Sequence, residues 1–254
     1  TVTNDMPDIF SAILHHDLPN VPDLFGLDST FYPHQAIFIS HLHIDHIGGL
    51  QYLAQKTKIP IYMSPNAYTL YQGLIAEKME PAVTELHPLA PDTPLNIGDI
   101  TVTGWLSDHD TLDPYAYLVQ TPDYQLIHSG DVRLHGPHDQ RVRQWAQKAH
   151  DLKPDLLLLE GTTFSFESSQ PQIQATDKHE HSYIEQDLPI AILNELHNPA
   201  PTVINLYPRN IERLANLNKA LLAVNATLIW EPAFARLLLR FYPTMPLSLI
   251  HLLR

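Results

Sequence analysis

Short apolar runs alternate along this chain with stretches whose apolar residues recur every three to four positions, the pattern of a layered α/β protein. Residues 36–40 (Ala-Ile-Phe-Ile-Ser) predict a strand that runs into a tight polar turn. Ile47, Leu50, Leu53 and Ala54 follow at helical spacing and predict a helix that starts close to Asp45 and His46. Residues 59–63 predict a second strand. Ser64-Pro65 then supplies a capping hydroxyl and a proline at the first helical position, so a helix should run to about Met79 with Tyr68, Leu70, Tyr71, Leu74 and Ile75 on its apolar face. The proline-rich residues 81–94 read as loop and sheet edge, and residues 6–28 as loop and short helix.

Three β-type runs, 100–106, 116–119 and 125–128, are separated by Asp, Pro and Thr turn residues and predict neighbouring strands of one sheet. The unbroken run Asp155-Leu156-Leu157-Leu158-Leu159 predicts a strand buried on both faces. Beyond Glu160 the register changes. Residues 165–177 are polar and read as a linker or exposed loop. A helix at 183–197, a strand at 202–206, a helix at 209–222, a strand near Leu228 and a helix at 232–241 are then expected. The chain carries no internal repeat, heptad pattern or low-complexity tract.

The turn after the first strand changes the picture from fold to chemistry. His41-Leu42-His43-Ile44-Asp45-His46 packs three imidazoles and a carboxylate into six residues. Imidazole nitrogen and carboxylate oxygen hold zinc and similar divalent ions at about 2.0–2.2 Å, so this density of donors implies a metal site, and two metals are expected. Because 16 of the 254 residues are histidine, any one of them alone is weak evidence. The dense spacing at a strand-to-helix junction is what argues. With no cysteine in the chain, thiolate ligands and disulfides are excluded, and a cytoplasmic setting fits. No apolar run is long enough to span a membrane, and the N-terminus has no secretory pattern. The formal net charge of −13 opposes nonspecific attraction to nucleic acid, so a nucleic-acid substrate would need a local basic patch.

His109, in Ser107-Asp108-His109-Asp110, and Asp131, in His128-Ser129-Gly130-Asp131, sit just after predicted strands, at the kind of edge where layered sheets collect functional groups. Taken with the turn, this ordered set resembles the metallo-β-lactamase superfamily. The resemblance implies an αββα sandwich with metals at one edge. His41, His43 and His109 would bind one ion, Asp45 and His46 the other, and Asp131 would bridge them. Three further stretches are similar to the β-CASP branch of nucleases, which includes the ribonuclease J enzymes: Asp131-Val132-Arg133-Leu134-His135-Gly136, Leu159-Glu160-Gly161-Thr162-Thr163, and Asn205 to Leu214.

The fold expected is therefore α/β (α+β): a metallo-β-lactamase αββα sandwich over residues 1–180 and the start of an inserted, β-CASP-like α/β domain over 181–254. The superfamily normally opens with a β-hairpin, and its β-CASP branch adds a late histidine to the second metal; neither is found here. These residues are accordingly expected to be a fragment of a longer protein, an expectation that a full-length transcript encoding nothing more would sink. If nothing more exists, the second metal lacks a ligand.

The chemistry expected is metal-dependent hydrolysis. Two ions about 3.5–4 Å apart, zinc or manganese, lower the pKa of a shared water and clamp phosphate oxygens. Asp45 would orient or deprotonate the water, and Glu160 would support a ligand histidine, with Asp110 and Asp113 as further candidates for that support. Arg209 and Arg213, one helical turn apart, would grip an RNA backbone, or else pair with nearby acids. Arg133 and His135 are weaker phosphate candidates. The expected substrate is RNA, and a homodimer is possible. The alternatives are a small-molecule hydrolase, such as a lactonase or thioester hydrolase, and a noncatalytic relative with an incomplete metal site.

Overall fold

The computed structural model describes residues 9–21, 24, 32–53, 58–161, 184–195 and 202–249. Two sheets meet face to face. The first is all parallel, in the order β1 (Ile37–Phe38), β2 (Ile61–Met63) and β3 (Leu86–Pro88). The second has the order β4 (Pro94–Ile97), β5 (Ile100–Leu106), β6 (Tyr115–Gln120), β7 (Gln125–His128) and β8 (Leu156–Leu158), antiparallel except for the β7–β8 pair.

Alternation along β5 and β6 explains why this sheet can be covered on both sides. Val102, Tyr115 and Tyr117 point toward the first sheet, where Phe38, Tyr62 and Leu89 meet them to form the inter-sheet core. Trp105, Ala116, Leu118 and Ile127 point the other way, onto Val142, Trp145 and Ala149 of helix α5 (Asp139–Leu152). Register keeps each set together: Val102 pairs with Val119, and Leu106 with Tyr115. Two inward hydroxyls find backbone partners across the gap, Tyr115 donating to the Leu89 carbonyl (2.7 Å) and Tyr117 to the Ile39 carbonyl (2.9 Å).

The outer face of the first sheet is covered by α1 (Ile9–Leu14), α2 (Ile44–Ile47), α3 (Leu50–Leu53) and α4 (Pro65–Ala76), which share one core with Ile61, Met63 and Leu86. The layers thus run helix, sheet, sheet, helix, the αββα sandwich. Helix α4 starts as its sequence predicts: the Ser64 hydroxyl accepts the Ala67 N–H and Pro65 occupies the first turn.

The later segment adds a 3₁₀ turn at Glu185–Asp187, then α6 (Leu188–Glu195), α7 (Ile211–Ala223), β9 (Ile229–Trp230), α8 (Pro232–Phe241) and β10 (Ser248–Leu249), with β9 and β10 paired in parallel. Ile211, Leu214, Trp230, Leu237 and Leu238 join the same core as α4, where Gly73 lets α8 approach closely: an added Cβ would lie 2.8 Å from Leu237. The expected boundary at residue 180 and the polar linker at 165–177 lie outside the described residues.

Three readings of the sequence are corrected. Helix α5 was not anticipated, because only Val142, Trp145 and Ala149 are buried among many charged positions. Residues 202–206 form no strand. The leucines of β8 are not buried on both faces: Leu156, Leu157 and Leu158 are 39–45% exposed, since among the described residues β8 is the outer strand of its sheet. No helix among the described residues is long and apolar enough to cross a membrane.

Candidate metal centre

Every element that carries a candidate ligand ends at the same rim of the sandwich. The chain leaves β1 through Ser40 and delivers His41 into full burial, with Ser40 fixed by the Tyr115 N–H to its carbonyl (2.8 Å). The Ser40 hydroxyl contacts Nδ1 of both His41 (3.1 Å) and His46 (3.4 Å), so Nε2 of each ring is turned into the site. His109 follows β5. Asp131 follows β7 through Gly130, whose φ of +58° suits glycine and whose added Cβ would lie 2.9 Å from both Ser40 and the Tyr115 carbonyl.

The result is two donor groups that share one residue. His41, His43, His109 and Asp131 form the first, and Asp45, His46 and Asp131 the second, with donor atoms within 4.8 Å of one another in each. Nδ1 of His43 lies 3.1 Å from Nε2 of both His41 and His109. A single lone pair cannot satisfy two such neighbours, whereas three ring nitrogens about 3.3 Å apart are the edges of a tetrahedron with metal–nitrogen bonds of about 2.0–2.1 Å. Asp131 divides its oxygens: Oδ2 is 3.8 Å from His41 and 3.7 Å from His109, and Oδ1 is 3.4 Å from His46. The residues present therefore fit divalent ions. Asp45, largely exposed, stands 3.4 Å from His46.

Burial tunes the donors for this use. His41 has its pKa pushed down to about 2, by burial first and then by the neighbouring imidazoles, so its ring stays neutral and able to donate a lone pair. Burial also lowers His109 and His128. The sign for stability follows. An unfolded chain takes up the His41 proton near the ordinary 6.5, whereas the folded chain resists it. Folding stability is therefore complete above that pH and falls on acidification, by up to about 1.4 kcal/mol per pH unit for this group alone. Metal-free protein should accordingly unfold at lower urea at pH 5 than at pH 7.5; an unchanged or higher midpoint at pH 5 would contradict the assignment.

Around the donors, Asp110 takes the supporting role more closely than Glu160. Its Oδ1 lies 3.0 Å from Nε2 of His43, and the closeness of that ring foremost holds the Asp110 carboxyl well below the usual range. Glu160 accepts the Val132 N–H (3.1 Å), bracing the backbone next to Asp131. Asp113 binds Asn66 and Arg141 and so ties α4 to α5. Tyr207, to which the sequence reading assigned no role, places its ring 5.4 Å from that of His43. Only its position beside the ligand loop reveals it.

The arginines pair with acids, the alternative that their spacing left open. Asn210 caps α7 by accepting the Arg213 N–H (2.9 Å), so Arg209 precedes the helix and Arg213 lies in its first turn. Arg209 stacks over Tyr207 and pairs with Glu80, while Arg213 forms a two-pronged pair with Glu185 (2.6 and 2.7 Å). Arg133 is likewise held, between Asp108 and Glu185, and His135 is exposed.

Residues 7–198 match the family model described as a beta-lactamase superfamily domain. Ribonuclease J of Helicobacter pylori is 29% identical over 170 residues, covering 60% of this chain and 24% of that protein. Ribonuclease J 1 of Streptococcus pyogenes is 28% identical over 114 residues, covering 45% of this chain and 20% of that protein. The chain thus spans about a quarter or less of the length of these relatives. A crystal structure of a protein of unknown function from Enterococcus faecalis is 27% identical and superposes with a TM-score of 0.75 over 98% of this chain and 61% of the other. With its αββα layers and its histidine and aspartate cluster at their rim, the chain belongs to the beta-lactamase superfamily and resembles ribonuclease J within it.

Proposed function

We propose that this protein is a metal-dependent hydrolase whose two ions, zinc or manganese, are held by His41, His43 and His109 on one side and by Asp45 and His46 on the other, with Asp131 between them. The observation that carries the reading is the division of the Asp131 oxygens between the two donor groups. When bound, such ions lower the pKa of a shared water and polarise the bond under attack. The chain's own residues do the rest. Asp45, exposed at the start of α2 and 3.4 Å from His46, would accept a proton from that water or aim it. Asp110, 3.0 Å from Nε2 of His43, would orient that ring, and Glu160, which accepts the Val132 N–H, would steady the loop that carries Asp131.

RNA is the proposed substrate, a reading supported by the ribonuclease J relatives and by the stretches around Asp131, Glu160 and Asn205. On this reading residues 1–180 form the catalytic sandwich and 181–254 part of an inserted domain. Arg209 and Arg213 would face the substrate only by exchanging their acidic partners for phosphate. Those internal pairs, and the net charge of −13, favour a second reading, a small-molecule hydrolase acting on a lactone or thioester.

One assay separates them. Protein supplied with manganese or zinc should degrade single-stranded RNA, and His43→Ala should abolish it. Lactone hydrolysis without RNA turnover would reverse the order of the two readings.

A further inference from the structure

The strongest unassigned feature of the molecule is a run of charges leading from α7 to the ligand loop. Glu185 lies at its centre. Its Oε1 accepts from Nε of Arg213 (2.6 Å), and its Oε2 accepts from Arg213 (2.7 Å) and from Arg133 (2.9 Å). Arg213 continues to Asp110 (3.9 Å), and Asp110 to Nε2 of His43 (3.0 Å). Arg133 continues to Asp108 (3.0 Å), the fully buried residue that directly precedes His109. The second oxygen of Asp108 accepts the His138 N–H (2.7 Å), and its carbonyl accepts the Arg133 N–H (2.9 Å). Gly136 makes room for this clasp, because a Cβ there would strike both Arg133 and Asp108.

We propose that Glu185 is a positioning residue for the metal centre, holding the His43 ring through Arg213 and Asp110 and the loops of His109 and Asp131 through Arg133. The proposal rests on the metal-binding reading above. Glu185 touches neither ligand nor substrate. It lies between two largely buried guanidinium groups that would otherwise repel each other, each of which would keep only one acid, Asp108 for Arg133 and the more distant Asp110 for Arg213. With Glu185 in place, Arg213 can approach Asp110 without drawing it away from His43. Without it, Arg213 loses its closest acid and is free to draw in Asp110, now 3.9 Å away, at the expense of the 3.0 Å contact between Asp110 and His43. The α6–α7 segment thereby sets how firmly the site on the sandwich holds its ion.

The test is zinc affinity of the full chain, measured by competition with a chromogenic chelator, for wild type, Glu185→Gln, Arg213→Gln and Glu77→Gln. Glu77 also pairs with an arginine, Arg236, and neither residue belongs to the donor groups or to the charges around Glu185, so its variant controls for the loss of an ion pair alone. Glu185→Gln and Arg213→Gln should bind zinc about tenfold more weakly, the lower end of the about 10–100-fold cost of losing an outer partner, with Glu77→Gln within about twofold of wild type. The visible bands of the cobalt-substituted protein should also shift in Glu185→Gln but not in Glu77→Gln. Wild-type affinity in both relay variants, while His43→Ala loses zinc, would overturn the proposal and leave the metal reading intact. A wild type that binds no zinc would sink both. If Glu185→Gln does not fold, Arg213→Gln carries the test, and failure of both to fold would assign Glu185 to the fold rather than to the site.

Discussion

Asp131→Ala should weaken the hold on both proposed ions, whereas His46→Ala should weaken it on only one. The difference follows from how the donors are divided. The three imidazoles of the first group remain after His46 is removed, but both groups lose an oxygen when Asp131 is removed. Affinity in Asp131→Ala should fall by more than the about 10–100-fold seen on losing an outer partner, because a direct donor is lost on each side. Metal content by elemental analysis after dialysis, with zinc titration of each variant, reads the outcome. An affinity loss confined to one ion in Asp131→Ala, as in His46→Ala, would show that Asp131 does not serve both groups. The expectation for activity is the same in direction: Asp131→Ala should be inactive on any substrate, since the site then lacks the charge and geometry that activate water.

Trp145→Ala should be among the most destabilising single changes outside the site. Trp145 is 5% exposed, fills the space between α5 and the second sheet beside Trp105, Leu118 and Ile127, and donates its ring N–H to the buried Ser107 hydroxyl (3.1 Å). Truncating a buried tryptophan costs about 3–5 kcal/mol, a large share of an ordinary stability of about 5–15 kcal/mol. Urea unfolding of the metal-free protein measures it. Trp145→Phe keeps most of the volume and loses the hydrogen bond, so it should cost only about 1–2 kcal/mol. A loss below about 1 kcal/mol in Trp145→Ala would mean that α5 is not anchored through this ring. Because Ser107 lies two residues before His109, zinc affinity in the same variant shows how far the helix supports the site.

What could be read from the residues and what could not separate along physical lines. Covalent neighbours and strand ends carry position with them. His41, His43, Asp45 and His46 lie within six residues, and a turn that short can hardly avoid gathering its donors. His109 and Asp131 each follow a strand whose direction is set by pairing, so β5 and β7 bring them to one rim. The Ser64-Pro65 start of α4 is local in the same sense, since cap and helix are adjacent in the chain.

Burial and partner choice are not local. The leucines of β8 read as central because apolar runs usually are, yet their exposure depends on what lies beside them. Helix α5 hides among charged residues because only one narrow stripe, Val142, Trp145 and Ala149, needs to be apolar against the sheet. Arg209 and Arg213 could be read as a grip on a phosphate backbone or as partners of nearby acids, and only the fold sets one beside Glu80 and the other beside Glu185. The sequence by itself determined the chemistry of the donors and their order along the chain. Only the tertiary structure decided which acid meets which base, because a charge selects its partner across space, at distances of a few ångströms that sequence separations of 28 residues for Arg213 and Glu185, or 129 for Arg209 and Glu80, do not encode.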